Sequence, residues 1–454
     1  MKPFLLGDAV RAIGGRYFGD DDALDRAITS VTSDSRTAGP GALFVAFKGS
    51  RVDGHDFMSG CVERGAAACV CEREPAEGER PAIQVDSSLR AIGALAAWHR
   101  GRFDIPVIGI TGSVGKTTTK EMISAVLSQR YETHRTEKNF NNELGVPWTL
   151  LRLDEGHQVS VVEMGISDFG EMRRLTAMVR PTIAVFSVIG DAHLEFLGDR
   201  AGVLRAKSEM FEGMDATGLA VLNGDDPLLA DCRPNMRRVL YGRGANCDVR
   251  AEDVKNLGED GISLTICHSG GAFAARIPAF GGHMIYAALA AAAVGLELGL
   301  TEEEIARGIA AYHTVGDRAR VLHAGGLTVV SDCYNANPNS CRAALDSLAA
   351  LRGRRVCVLG DMLELGPQTA RLHSDVGAYA AALGIEKIIA CGPLSRHIAE
   401  GAKASGGDAA YFSDRDALLE ALPELIRSGD SVLVKASRGM AFEKVVEKLT
   451  NMRR

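Results

Sequence analysis

Residues 105–119 read IPVIGITGSVGKTTT, an apolar run followed by a glycine-rich turn that carries a lysine. The run Ile105–Ile110 is apolar enough to form a buried parallel strand. The segment after the turn places its apolar side chains on one face of a helix: Met122, Ile123, Val126 and Leu127. A strand, a glycine turn and a helix, in this order, form the setting that a phosphate-binding loop requires. The stretch therefore predicts an α/β domain with a nucleotide site.

The spacing of this turn differs from the usual pattern G-x-x-x-x-G-K-[ST], because Ile110 stands where the first glycine is expected. The turn instead follows a compact form, T-G-x-x-G-K-T-T. Its glycines allow the backbone to approach phosphate oxygens, Lys116 would neutralise the β- and γ-phosphates, and the Thr117 hydroxyl would bind Mg²⁺. A plain structural turn is the alternative. The predicted nucleotide contacts are Thr111, Gly112, Ser113, Val114, Gly115, Lys116, Thr117 and Thr118.

The chain has the composition of a soluble globular protein with several domains. Its 454 residues are too many for one ordinary core, its apolar content is 46% and its charged content is 24%. A formal charge of −7 without a basic run argues against nucleic acid as a partner. The ten cysteines include no C-x-x-C pair, so we expect free thiols in a reducing cytosol. Nothing in the sequence demands more than a monomer.

Neither the N-terminus nor the most apolar stretch indicates a membrane span. The sequence starts MKPFLLGDAVRA, which lacks the long apolar core of a signal peptide. The stretch Tyr286–Leu300 is apolar but short, and it carries Glu297, so it predicts a buried helix. We therefore expect a cytoplasmic protein that acts on small molecules.

Three successive segments show separate α/β patterns, which predicts three domains at 1–103, 104–315 and 316–454. The second and third segments alternate short apolar runs with helical patterns, as in parallel sheets with crossover helices. The predicted central strands are Ile105–Ile110, Val159–Met164, Thr182–Val188 and Leu219–Leu222. The predicted strands of the last segment are Leu327–Ser331, Val356–Leu359, Lys387–Ala390 and Ser431–Lys435. This alternation of strands and helices in the last segment is typical of a doubly wound, Rossmann-like domain.

Three residues of the central segment are candidates to assist the phosphate loop. Glu163 ends an apolar run, and a carboxylate at a strand end lies on the ligand-binding edge of an open α/β sheet. His193 lies in a loop after the next predicted strand, and Lys207 lies in a helical pattern. Each has an ordinary alternative, namely a solvated glutamate, a loop histidine and a surface lysine. The residues alone leave these alternatives open.

Two asparagine-rich loops also stand out. NFNNELGVP occupies residues 139–147, and DCYNANP at 332–338 follows a predicted strand of the last domain. Loops at the carboxyl ends of such strands are the ones that contact ligands. Because asparagine also favours turns and helix caps, plain connecting loops are the alternative in both places.

These motifs together resemble those of the Mur ligases, the ATP-dependent amide-forming enzymes of peptidoglycan precursor synthesis. The resemblance extends over the whole chain. In the first segment it rests on TSDSR (32–36), LFVAFKG (43–49) and DGHDF (53–57). In the central segment it rests on TGSVGKTTTKEM, NFNNELGVP, VEMG, AHLEFLG and RAKSEMF. In the last segment it rests on DCYNANPNS, GDMLELG (360–366) and KASR (435–438).

The resemblance implies an N-terminal domain for a UDP-linked substrate, a central ATPase domain with a mainly parallel sheet, and a C-terminal Rossmann-like domain. The pair NNELGVP and YNANP points to the last addition step, in which D-Ala-D-Ala is joined to UDP-N-acetylmuramoyl-tripeptide through an acyl phosphate. ATP and two Mg²⁺ ions are the implied cofactors. Thr117 and Glu163 would serve one ion. His193 and Lys207 would serve the other, with Lys207 carbamylated into a carboxylate-like ligand.

Roles for residues in all three segments follow from the same resemblance. Asn141 and Asn142 would lie near the substrate carboxylate and complete a catalytic set with Lys116, His193 and Lys207. Asp332 would belong to the surface on which the domains close. The linker and the last domain would contact the nucleotide through Arg318, Tyr334, Asn335 and Asn337. The uridine diphosphate would be bound by Ser33, Asp34, Ser35, Arg36 and Lys48.

One departure from the family concerns the adenine base. Family members carry asparagines on the helix after the last central strands, whereas Met284 and Ala287 occupy those positions here. We expect the base to be read otherwise, through backbone groups or Asn335.

Two alternative functions remain open at this point. A sister ligase would add a free amino acid, such as diaminopimelate, lysine or glutamate, in place of the dipeptide. A phosphate-loop ATPase or nucleotide switch would couple hydrolysis to a shape change, but it leaves His193, Lys207 and YNANP without a role. Because three domains must surround one reaction centre, we also expect an open–closed motion with hinges near 103 and 315.

Overall fold

The computed structural model describes residues 1–314, 316 and 318–452. Three sheets follow one another along the chain, each with its own helices, which confirms the predicted three-domain α/β architecture. The predicted boundary at 315 lies outside the described residues. The exact limits of the domains therefore stay predictions.

The first domain is built on a five-stranded sheet with the order β2-β7-β6-β5-β4, parallel except where β2 meets β7. A separate antiparallel pair joins β1 to β3. The strands are β1 Phe4–Leu5, β2 Arg16–Phe18, β3 Ala27–Ile28, β4 Ser30–Thr32, β5 Ala42–Val45, β6 Ala68–Cys71 and β7 Ala82–Gln84. The helices are α1 Leu6–Ile13, α2 Met58–Glu63 and α3 Ser88–Arg100.

The central domain is built on a nine-stranded sheet with the order β16-β15-β14-β13-β12-β11-β8-β10-β9. Its strands are β8 Val107–Thr111, β9 Thr133–Arg135, β10 Val159–Glu163, β11 Ile183–Phe186, β12 Leu219–Asn223, β13 Arg237–Gly242, β14 Val249–Asn256, β15 Ile262–His268 and β16 Gly271–Ile277. Its helices are α4 Lys116–Leu127, α5 Gly145–Leu150, α6 Glu171–Val179, α7 Leu194–Leu197, α8 Arg200–Glu212, α9 Pro227–Ala230, α10 Met284–Glu297 and α11 Glu302–Ala310. Strands β8, β10 and β11 are neighbours and parallel, so their carboxyl ends meet at one edge of the sheet.

The C-terminal domain has a six-stranded sheet with the order β17-β18-β22-β19-β20-β21, in which only β17 is antiparallel to its neighbour. Its strands are β17 Arg320–Ala324, β18 Leu327–Asp332, β19 Arg355–Gly360, β20 Lys387–Cys391, β21 Ala409–Phe412 and β22 Ser431–Lys435. Its helices are α12 Pro338–Ala349, α13 Thr369–Ala382, α14 Arg396–Ala404, α15 Arg415–Leu425 and α16 Glu443–Asn451. This is the doubly wound arrangement that the sequence predicts.

The predicted strands of the central and last domains are confirmed to within a few residues, but the far half of the central sheet was not predicted. Strands β14, β15 and β16 pair antiparallel, and the side chains of β15 largely alternate between buried and partly exposed. Such half-buried strands lack the continuous apolar run that marks a buried parallel strand. The predicted buried helix at Tyr286–Leu300 is α10, which begins earlier, at Met284.

The free cysteines include Cys61, Cys69, Cys71, Cys232, Cys247, Cys267, Cys341, Cys357 and Cys391. Within the described ranges, no helix combines the length and the apolar character that a membrane crossing needs.

Helix α3 fastens the first domain to the central one through buried polar contacts. The guanidinium of Arg100 is buried and donates to the carbonyl oxygens of Phe103 at 2.6 Å and Val179 at 3.0 Å. Next to it, the buried ring of His99 lies 3.0 Å from the carbonyl oxygen of Leu153. Because Val179 and Leu153 belong to the central domain, a hinge at 103 would break buried hydrogen bonds. These contacts oppose movement at 103, and the expected open–closed motion with its two hinges stays a prediction.

We expect Arg100→Ala to lower the free energy of unfolding by about 3 kcal/mol, because it strands buried carbonyl groups without donors. The measurement is the urea midpoint followed by circular dichroism. Arg90→Ala, on the exposed face of the same helix, is the matched control and should change stability by less than about 0.5 kcal/mol. Equal shifts for the two variants would show that Arg100 does not hold the interface.

Candidate active site

The phosphate loop lies between β8 and α4, and two glycines shape it. Gly115 caps α4 with a φ of 82°, and Gly112 has a φ of 144°, both in the left-handed region. A Cβ on Gly112 would lie 2.0 Å from the Oγ of Ser187, so only glycine fits there. The Nζ of Lys116 donates to the carbonyl oxygen of Gly112 at 2.8 Å, across the mouth of the loop. The first backbone N–H groups of α4 therefore point at the place where a phosphate would bind.

A buried carboxylate connects the loop to the asparagine-rich segment. Glu163, at the end of β10, is only 1% exposed. Its Oε2 accepts a hydrogen bond of 2.9 Å from the Thr117 hydroxyl, and its Oε1 accepts one of 2.8 Å from the Nδ2 of Asn141. Asn142 instead serves the backbone, because its Oδ1 accepts from the N–H of Gly145 at the start of α5. The structure thus brings Thr117, Glu163 and Asn141 together.

The pair of Thr117 and Glu163 has the ligand chemistry of a magnesium site. Mg²⁺ prefers oxygen ligands and is held in phosphate-loop proteins by one or two protein groups, the substrate phosphates and water. In the described part of the chain, no group of three or more His, Cys, Asp or Glu side chains forms a complete metal cage. A hydroxyl and a carboxylate beside a phosphate loop fit an ion that takes its remaining ligands from the nucleotide.

His193 lies in the loop after β11 and Lys207 lies on α8, and the charge of Lys116 in the phosphate loop acts on both. Lys207, on α8, is 1% exposed. Burial and then the charge of Lys116 lower the pKa of Lys207 well below its usual value, while Glu171 acts in the opposite direction. Burial likewise lowers the pKa of Lys116, against the charge of Glu163. A buried lysine with such a pKa is a neutral amine for more of the time than a surface lysine is.

The pKa of His193 is lowered by burial, opposed by Glu364, and lowered further by the charges of Lys207 and Lys116. A lowered pKa favours the neutral imidazole, which is the form that binds a metal ion. The burial of Lys207 does not fit the alternative of a surface lysine. The His193 side chain is 28% exposed, so its metal-binding role stays a prediction.

The C-terminal domain and the linker bring an aromatic ring between two arginines. The guanidinium carbon of Arg318 lies 3.9 Å from the centroid of the Tyr334 ring, and that of Arg438 lies 5.1 Å from it. Arg318 also contributes to the lowered pKa of Lys116, which places it near the phosphate loop. A cation stacked on an aromatic ring is held in place while its N–H groups stay free to bind an anion.

Of the other predicted residues of the YNANP loop, one is exposed to solvent and another stabilises the start of a helix. Asn335 is exposed, whereas Asn337 caps α12 by accepting from the backbone N–H of Ser340 at 2.9 Å. Asp332 forms an ion pair of 2.6 Å with the buried Lys435. Met284 and Ala287, where the family has asparagines, are buried in α10.

The predicted uridine-diphosphate residues are only partly brought together. Ser35 and Arg36 line a cavity of about 380 Å³ in the first domain, whose other lining residues are Asp56, Phe57, Ser59, Gly60, Glu63 and Arg64. Asp34 holds Arg36 through an ion pair of 2.7 Å, and hydrogen bonds from Arg36 lower the pKa of Asp34 to about 2. Lys48 is exposed on a bridge with Asp53, and neither it nor Ser33 is among the lining residues.

Sequence reasoning missed two residues that reach this site from the C-terminal domain. The Oε2 of Glu364 lies 2.7 Å from the Nδ1 of His193, and the Oδ1 of Asn339 accepts from the N–H of Asp191 at 3.0 Å. The signal for Glu364 was available, since it lies four residues after the carboxyl end of β19, in GDMLELG. The pairing of Glu364 with His193 could not be predicted from the sequence, because the two residues are 171 positions apart.

Family models match each of the three parts of the chain. The Mur ligase middle domain matches residues 110–295, the Mur ligase glutamate ligase domain matches residues 317–438, and the Mur ligase catalytic domain matches residues 27–100. The chain is 38% identical over 429 residues to the UDP-N-acetylmuramoyl-tripeptide–D-alanyl-D-alanine ligase of Bacillus subtilis, covering 93% of each chain.

Solved structures superpose on all or nearly all of the chain. A MurF from Acinetobacter baumannii superposes with a TM-score of 0.93 at 32% identity, over 100% of both chains. The MurF ligase from Thermotoga maritima in complex with ADP superposes with a TM-score of 0.83 at 28% identity, over 95% of this chain and 98% of the other. On the identity and coverage of these relatives, the chain belongs to the Mur ligase family.

Proposed function

We propose that this chain joins D-Ala-D-Ala to UDP-N-acetylmuramoyl-tripeptide at the expense of ATP, giving the UDP-linked pentapeptide. The observation that carries the proposal is the convergence of Lys116, the Thr117–Glu163–Asn141 cluster, His193 and Lys207 at one sheet edge. Curated relatives at 30–38% identity carry the name of this ligase. The second substrate and the product follow from that name, not from the geometry.

The reaction needs two substitution steps with the charge balanced in each. The carboxylate of the tripeptide attacks the γ-phosphorus of ATP, and the bond to ADP breaks, which leaves an acyl phosphate. The amine of D-Ala-D-Ala then attacks the acyl carbon, phosphate leaves with the electron pair of the broken bond, and the nitrogen loses a proton. Both steps move negative charge, so positioned cations supply most of the catalysis. Lys116, in the phosphate loop, and the stacked Arg318 would be two of these cations.

Two Mg²⁺ ions would complete this arrangement by screening the phosphate oxygens. Thr117 and Glu163 would hold one of them, with Asn141 fixing the carboxylate through its hydrogen bond of 2.8 Å. His193 and a carbamylated Lys207 would hold the other. Carbamylation forms a bond between the neutral Nζ and the carbon of CO₂ and releases a proton. The lowered pKa of Lys207 favours this reaction, because only the neutral amine attacks.

We propose the remaining residue roles on the same basis, namely membership of the family. The first domain would bind the uridine diphosphate at the cavity lined by Ser35 and Arg36. Tyr334, Asn335 and Asn337 would form the C-terminal side of the nucleotide site, with Asn337 acting through its cap on α12. The active unit would be a monomer.

Phosphate release from ATP tests the proposed reaction directly. With purified protein, Mg²⁺ and UDP-N-acetylmuramoyl-tripeptide, we expect release to rise at least tenfold when D-Ala-D-Ala is added, because the acyl phosphate turns over only when an amine attacks. Mass spectrometry should then detect the UDP-linked pentapeptide. Release that responds to diaminopimelate, lysine or glutamate instead would assign a sister reaction. Release indifferent to every substrate would support a nucleotide switch.

The metal role of Glu163 can be tested without turnover. We expect Glu163→Gln to weaken Mn²⁺ binding in the presence of a non-hydrolysable ATP analogue by about 10- to 100-fold or more, because a charged ligand is lost. Electron paramagnetic resonance of free Mn²⁺ gives the affinity. Glu137→Gln, on an exposed glutamate before the same asparagine-rich loop, should leave it unchanged. Unaltered binding by Glu163→Gln would remove Glu163 from the metal site.

Carbamylation of Lys207 predicts a carbon signal that depends on pH. With ¹³C-bicarbonate, we expect a carbamate resonance that is lost as the pH falls through the lowered pKa of Lys207, since protonation removes the nucleophilic amine. Lys207→Arg should abolish the resonance, and Lys255→Arg, on an exposed lysine, should retain it. A resonance that survives in Lys207→Arg would place the modification elsewhere.

A further inference from the structure

Two facing residues at the boundary between the central and C-terminal domains share an unusual backbone conformation. His193 has a φ of 53° and Glu364 a φ of 63°, both in the left-handed region, although neither is glycine or asparagine. Such a conformation is unfavourable for residues other than glycine and persists only where the surroundings fix it. The two side chains meet with the Oε2 of Glu364 only 2.7 Å from the Nδ1 of His193.

The loop that carries His193 is held from both sides by the C-terminal domain. The backbone N–H of Asp191 donates to the Oδ1 of Asn339 at 3.0 Å, and a Cβ on Gly190 would lie 2.7 Å from that oxygen. Beyond the histidine, a Cβ on Gly366 would lie 3.2 Å from the Cα of Glu195. The contact of His193 with Glu364 therefore lies where segment 190–195 approaches both α12 and the loop around Gly366.

The pair is poorly suited to hold the domains together by its own strength. The side chain of Glu364 is 55% exposed, and a polar contact with so much solvent contributes little to stability. The Nδ1 of His193 is buried and, apart from this contact with Glu364, has no hydrogen-bond partner. In an enzyme without its substrates, hydrogen bonds of catalytic groups are often misaligned and become well aligned in the complex.

From this geometry we propose that Glu364 is a positioning residue for His193, supplied by the C-terminal domain when it closes. A carboxylate that accepts from Nδ1–H fixes the tautomer and leaves Nε2 as the metal-binding nitrogen, which is the usual arrangement around metal-bound histidine. The metal site is then complete only in the closed enzyme, because one of its supporting groups belongs to the moving domain. This proposal rests on the proposed function, in which His193 binds the second ion.

The test compares Glu364→Gln with Glu400→Gln. The side chain of Glu400 is 65% exposed and lies 2.8 Å from the Nδ1 of His397 on α14, so it is a matched histidine–carboxylate pair of the same domain. Mn²⁺ affinity is measured by electron paramagnetic resonance with a non-hydrolysable ATP analogue, and the analogue's affinity by calorimetry. Small-angle scattering gives the compaction.

For Glu364→Gln we expect Mn²⁺ affinity at the weaker site to fall about 10- to 100-fold, with the affinity for the ATP analogue unchanged. In turnover assays kcat should fall by a similar factor while KM for ATP stays the same, and Glu364→Asp should recover part of both losses. Glu400→Gln should match the wild type in every measurement. Because glutamine keeps the size of glutamate, an unchanged urea midpoint shows that the variant folds.

Two results would overturn the proposal. If Glu364→Gln loses compaction but keeps its Mn²⁺ affinity, Glu364 is only a contact between domains. If neither quantity changes, the pair has no role. Failure of the proposed function would look different, since the wild-type protein would then form no UDP-linked pentapeptide, whereas the Mn²⁺ measurement needs neither the tripeptide substrate nor D-Ala-D-Ala.

Discussion

The buried carboxylate of Glu163 is the group on which the arrangement of the site depends. A carboxylate removed from water is costly unless each oxygen has a partner, and here the donors come from α4 and from the asparagine-rich loop. Its backbone N–H is satisfied as well, by the hydroxyl of Thr136 at 3.0 Å. The need to pair one buried charge therefore fixes the phosphate loop relative to a segment more than 20 residues away in the chain.

Lys116 feels the positive charge of Arg318, and Lys207 feels that of Lys116. Burial and this repulsion lower the pKa values of both lysines. Bound phosphate would relieve the repulsion at Lys116, and conversion of Lys207 to an anion would relieve it on the other side. Nucleotide binding and the proposed modification would therefore each reduce the repulsion at the site.

The sequence predicted the parallel strands and the phosphate loop because both depend on local patterns. The run Ile105–Ile110 and the turn after it could be interpreted residue by residue. Strands β14–β16 were missed because half-buried strands have weak patterns. The contacts of Arg100 with α6 and the loop after it depend on how two domains pack, so no local pattern contains them. The pairing of His193 with Glu364 depends on how two domains meet, so no local pattern contains it.

The buried attachment of α3 also has a consequence for what the enzyme can accept. With Arg100 and His99 bonded into the central domain, a change in the distance from the cavity at Ser35 to the phosphate loop would break buried hydrogen bonds. If one ligand occupied both places at once, its length would have to match that distance. A molecule one residue too short or too long would then place its reactive end away from the phosphate.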